Sequence, residues 1–125
     1  MGIDRHFADF LLCAKDLGVD FSRVATLGRL NLFIDHRSLG AVFREHGRDI
    51  TDSDIRAIRS ASGGYVEELL RYLGAQETCS IDASGYEGAS LVHDMNQPIA
   101  PEHKGRFSAI IDGGTLEHID RKSVV

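Results

Sequence analysis

The sequence predicts an α/β domain built on a mostly parallel, open sheet with helices on both faces. Helical periodicity fills the first part of the chain, and from residue 77 it gives way to short apolar runs. Those runs, "ETCSIDAS" (77–84), "ASLVHDMN" (89–96) and "FSAIIDGG" (107–114), are near-continuously apolar, as strands covered on both faces are. Each reaches an aspartate followed by small or polar residues, the form in which open α/β sheets present a ligand crevice at their strand ends.

Residues 3–17 predict the first helix, with Ile3, Phe7, Phe10, Leu11, Ala14 and Leu17 on one face and Gly18 as its stop. "SRVATL" (22–27) is short and β-branched and ends at Gly28, which marks the first strand. Ser38 is a candidate cap for a short helix carrying Leu39, Val42 and Phe43, which Gly47 would end. Thr51 or Asp52 caps the next, with acids in its first turn, and Gly63-Gly64 breaks it. "YVEELLRYLG" gives an amphipathic helix over 65–73 with Val66, Leu69, Leu70 and Leu73 inward and Gly74 closing it. The second, third and fourth strands fall near 78–82, 89–93 and 107–112, the last two joined by the turn-rich "QPIAPEHKGR". Residues 30–64 then form a helical insertion within a single domain spanning 1–125.

Composition bounds the partners. A chain of 125 residues, 42% hydrophobic and 26% charged, is ordinary globular material with one core. Its net charge of −5 and the scatter of its basic residues give no electrostatic footprint for nucleic acid. No run approaches the roughly 20 apolar residues that span a bilayer, and the charged N-terminus is no signal peptide. A cytoplasmic location is expected, with Cys13 and Cys79 as two buried thiols and nothing to support a disulfide between them. The six histidines show no HxxxH spacing and no paired cysteines, so no structural zinc is expected.

Asp82, Asp94 and Asp112 would line one edge of a parallel sheet, where carboxylates accept strong hydrogen bonds from ligand hydroxyl or amino groups. Any one of them alone has a simpler role as a turn or helix cap. Taken in order, these motifs resemble the middle of a class I S-adenosylmethionine-dependent methyltransferase, over residues 22–30 and 65–119. The resemblance implies a Rossmann-like fold with S-adenosylmethionine as cofactor. It implies that Asp82 in "SIDAS", with Ala83 beside it, holds the ribose hydroxyls. It likewise implies that Asp94 in "VHDMN", with Met95, holds the adenine, and that Gly28 and Asp112 border the cofactor. "IIDGGTLEHI" is similar to the turn beside the methyl-transfer site, where Glu117 or His118 would assist deprotonation of an acceptor; neither is assigned as catalytic.

The chain departs from that family in two ways. The glycine-rich loop after the first strand is reduced to "TLGRLN", in which only Gly28 remains and Leu30 is placed to fill the space. The sequence also ends soon after the fourth strand, so the expectation is an incomplete methyltransferase core whose acceptor, small-molecule or macromolecular, is unassigned. Residues 107–111 read as a central strand without the charges or prolines of a natural edge, and self-association through that edge is expected. The alternative is a non-catalytic interaction module that keeps the fold and has lost the cofactor, or an inactive fragment.

Other motifs fail on their chemistry. A phosphatase-type "DxDGT" needs a second carboxylate where Ile110 stands. Neither a GxGxxG fingerprint nor a GxxxxGK[ST] phosphate loop is present.

Overall fold

The structure is a computed structural model and describes residues 2–61, 63–82 and 89–113. Its elements run β1 (Gly2–Ile3), α1 (Arg5–Asp16), β2 (Arg23–Leu27), β3 (Asn31–Leu32), α2 (His36–Glu45), α3 (Asp52–Ser60), α4 (Glu67–Tyr72), β4 (Glu77–Asp82), β5 (Leu91–Val92) and β6 (Ala109–Asp112), with one 3-10 turn at Pro101–His103. The main sheet has four parallel strands in the order β5-β4-β2-β6. This is the expected α/β class with a parallel sheet, consistent with a Rossmann-like arrangement. A two-stranded parallel ribbon, β1 with β3, lies outside it and was not legible in the sequence.

Pairing fixes which side chains share a face, because successive strand residues alternate. Val24 and Ile111 project into a large core with the four described α-helices, centred on Leu12, Leu39, Val42, Phe43, Ile55, Ile58, Leu69 and Leu70. Ala25, Leu27, Cys79 and Ile81 form a second, smaller cluster with Met95, Leu91 and Phe107. Among the described residues, this second face is therefore covered by the irregular segment 93–107 and its 3-10 turn, not by an α-helix. β6 borders the sheet in the described residues, and Ile110 on it is 64% exposed.

Local chemistry explains the helix boundaries. Asp4 caps α1 by accepting from the Phe7 amide at 2.8 Å, which leaves Ile3 outside the helix in β1. The buried stripe of α1 is accordingly Ala8, Leu11 and Leu12, while Phe10 and Leu17, expected inward, are exposed. The expected face included Ile3, which does not share the helical period, and that skewed the stripe. α2 begins earlier than expected: Asp35, not Ser38, is its cap, accepting from the Ser38 amide at 2.7 Å. That amide holds the Asp35 carboxyl below the usual carboxylate range. Thr51 caps α3 in a reciprocal box with Asp54. α4 buries Val66, Leu69, Leu70 and Leu73, as the periodicity predicts.

One contact between α3 and α4 sets a titration. Interaction with the Asp54 carboxylate, aided by desolvation, pushes the Tyr72 phenol up to about 12. A raised folded-state value stabilises the fold below the unfolded tyrosine value of about 10, and this contribution is lost as pH rises through about 12. Ultraviolet titration of tyrosinate should show one late component, moved towards lower pH by Asp54→Asn. A variant that titrates like the wild type would refute the contact.

Candidate binding site at the sheet edge

Parallel pairing gathers the strand ends along one edge. Leu27 is in register with Ile81 on one side and with Asp112 on the other, and Asp82 pairs with Val92. Chain order runs outward from β2 through β4 to β5 and then returns to β6 on the far side of β2. The switch point therefore lies between β2 and β6, with Gly28 and Asp112 at its mouth. Gly28 turns the chain there with φ +80° while its amide donates to the Ile81 carbonyl at 2.7 Å. Only glycine takes that conformation without strain.

The structure brings Gly28, Asp82 and Asp112 to this edge but does not aim them alike. By the alternation of the strands, Asp82 falls in line with Ser80 on the helix-covered side of the sheet. Asp112 falls with Leu27 and Ile81 on the other. Asp82 is half-buried and Asp112 exposed. Asp94 lies just past β5, exposed, and its Oδ1 accepts from the Asn96 amide at 2.9 Å in a local turn. Met95 is buried at 4% exposure in the second cluster and lines a cavity instead of the open edge. Ala83, Glu117 and His118 lie outside the described residues.

That cavity, about 270 Å³, opens on the second face directly beneath the edge. Leu27, Ile81, Met95 and Phe107 form its apolar floor, and His93, His103, Lys104 and Arg106 supply polar groups around it. His93 Nε2 donates to the Gln97 carbonyl at 3.0 Å. Arg106 is held by Glu77 through Nε at 2.8 Å and through Nη2, and its guanidinium lies 5.0 Å from the Phe107 ring centre. Burial raises the Cys79 thiol beneath this face, so it remains protonated and inert at neutral pH. Cys13, expected to be buried as well, is exposed, because it lies off the buried stripe Ala8, Leu11 and Leu12 of α1. The walls come from the connector "QPIAPEHKGR" and Phe107, which reads in the sequence only as turns. Ile99 and Phe107 flanking its basic residues were the available signal that the segment packs against the sheet.

Beyond Gly28, side chains occupy the positions that the expected glycine loop would leave open. Leu30 is fully buried, and a methyl group added to Gly113 would stand 2.8 Å from its Cδ2. Arg29 pairs through Nε with Glu67 Oε1 at 2.7 Å and stacks 3.9 Å from the Tyr65 ring centre. Glu67 Oε2 is buried with no hydrogen-bond partner among the described residues. A buried acceptor in that state carries a desolvation cost that a ligand donor would relieve.

Comparison of the chain with family models, curated proteins and solved structures finds no match in any of the three. Among the described residues no helix is long and apolar enough to cross a membrane.

Proposed function

We propose that the chain is a methyltransferase-like domain that binds S-adenosylmethionine, or its demethylated product, across the C-terminal edge of the main sheet. The observation that carries this reading is the strand order, which puts Gly28 and Asp112 at the switch point with Asp82 one strand away. Asp82 accepts from the ribose hydroxyls. The adenine lies towards Asp94 and Met95, where the cavity begins. The methionine end lies over Gly28, and the unpartnered Oε2 of Glu67 beside Arg29 is an acceptor for its ammonium group. When bound, the cofactor supplies the electrophilic methyl group, so the protein's task is to align donor and acceptor. The acceptor and any proton-transferring residue are left unassigned.

Asp82→Ala removes one charged acceptor. It is expected to weaken binding of S-adenosylhomocysteine by about 1.5–3 kcal/mol, roughly tenfold to a hundredfold in Kd. Isothermal titration calorimetry on both folded proteins checks it. Absence of heat with either cofactor form in the wild type would defeat the reading.

A second reading is favoured by the packing of Leu30 against Gly113: a non-catalytic module whose cofactor loop has been filled by side chains. Melting with and without cofactor separates the two, because a ligand that binds only the native state raises the midpoint.

A further inference from the structure

On the helical layer, away from the sheet edge, α1 presents Asp9, Cys13 and Asp16 on one stripe, at i, i+4 and i+7. His46, the residue that ends α2, docks onto that stripe. Its Nε2 lies 2.6 Å from Asp9 Oδ1 and its Nδ1 lies 2.8 Å from Asp16 Oδ2. One ligand atom each from Asp9, Cys13 and His46 lies within 4.8 Å of the other two. We infer that Asp9, Cys13 and His46 form a binding site for a zinc-class divalent cation that clips α1 to the end of α2.

The chemistry of the donors supports the class of metal. A thiolate, an imidazole and a carboxylate together suit zinc, or cobalt as its substitute; magnesium and calcium prefer oxygen donors throughout. Three protein donors leave a fourth tetrahedral position for water, in keeping with a site whose cysteine is exposed. The surroundings also match what a metal-bound histidine needs. With Nε2 given to the metal, Nδ1–H donates to Asp16, and Asp16 is itself held by Arg48 Nη2 at 2.7 Å. A carboxylate on the far nitrogen orients a ligating imidazole and raises its basicity. Asp9 and His46 are in direct contact, so metal binding opens that contact and releases to solvent the Cys13 thiol proton and the proton His46 Nε2 shares with Asp9, in exchange for three coordinate bonds. The sequence hides the site because its donors come from α1 and from the end of α2, with β2 and β3 between them, and show none of the paired spacings by which zinc sites are read.

Cobalt(II) is the probe, with zinc as competitor. One equivalent of cobalt should produce a thiolate-to-metal charge-transfer absorption that zinc abolishes and Cys13→Ser lacks. His46→Gln should weaken binding at least about tenfold, and Asp16→Asn should weaken it while leaving the absorption in place. In the wild type, zinc should slow alkylation of Cys13, read by peptide mass spectrometry, with buried Cys79 unreactive throughout. That last readout needs no variant and decides the matter should a substitution disturb folding. Unchanged alkylation of Cys13 in excess zinc, or a charge-transfer band that survives Cys13→Ser, would overturn the site.

Discussion

Phe43→Ala is expected to lower the unfolding free energy by about 3–5 kcal/mol, a large share of what a domain of this size possesses. Phe43 is 2% exposed on α2 and sits among side chains from the other helices. Its ring meets Tyr72 edge-on at 5.9 Å between centres, with an interplanar angle of 86°. Truncation removes that aromatic pair and leaves a cavity that α1, α3 and α4, each fixed by its own buried contacts, cannot close. Phe43→Leu, which keeps most of the volume, should cost much less. Urea denaturation measures both, with the midpoint moving and the slope unchanged. A loss below about 1 kcal/mol for the alanine variant would show that the helical layer is not packed around this ring.

Leu30→Ala should cost about 2–5 kcal/mol, and it has a second readout. Leu30 is fully buried, its carbonyl accepts from the Val66 amide at 2.9 Å, and its side chain stands against Gly113. Truncation therefore empties the wall between the loop after β2 and the end of β6. Under the proposed function, Leu30 supports the cofactor loop from below, so the less stable variant should keep its affinity for S-adenosylhomocysteine within about threefold, under 1 kcal/mol. Under the alternative, Leu30 fills the ligand's place, and the wild type would fail to bind while the variant gains binding. Paired melts and calorimetry on the two proteins give the answer in one experiment. Gain of binding by the variant alone would replace the proposed function with the lost-cofactor reading.

The helices and the sheet were legible in the sequence because each is set by local chemistry. The stripe Val66, Leu69, Leu70 and Leu73 has helical spacing, and these residues are buried around α4. Thr51 followed by Asp54 is a cap signature that needs no tertiary partner, and it forms. The apolar runs that become β2, β4, β5 and β6 were likewise readable as strands. That they are covered on both faces holds only for the inner pair, β2 and β4; in the described residues β5 and β6 border the sheet, with Val92 and Ile110 exposed. Gly28, read from the sequence as the stop after the first apolar run, turns the chain at φ +80°, a conformation that favours glycine.

Tertiary structure decided what those elements do to one another. Asp35 and Ser38 are both good caps, and which begins α2 depends on where the incoming chain meets the core. Phe10 and Leu17 carry the same hydrophobicity as Leu11 and Leu12. Only the neighbours of α1 decide which pair is covered. Three strand-end aspartates could be listed from sequence, but strand pairing and alternation put Asp82 and Asp112 on opposite sides of the sheet, while a local turn engages Asp94. The cavity beneath the edge and the Asp9–Cys13–His46 cluster both join segments distant along the chain. Periodicity and capping act within a few residues and so can be read from the sequence; contacts between distant segments exist only once the chain has closed upon itself.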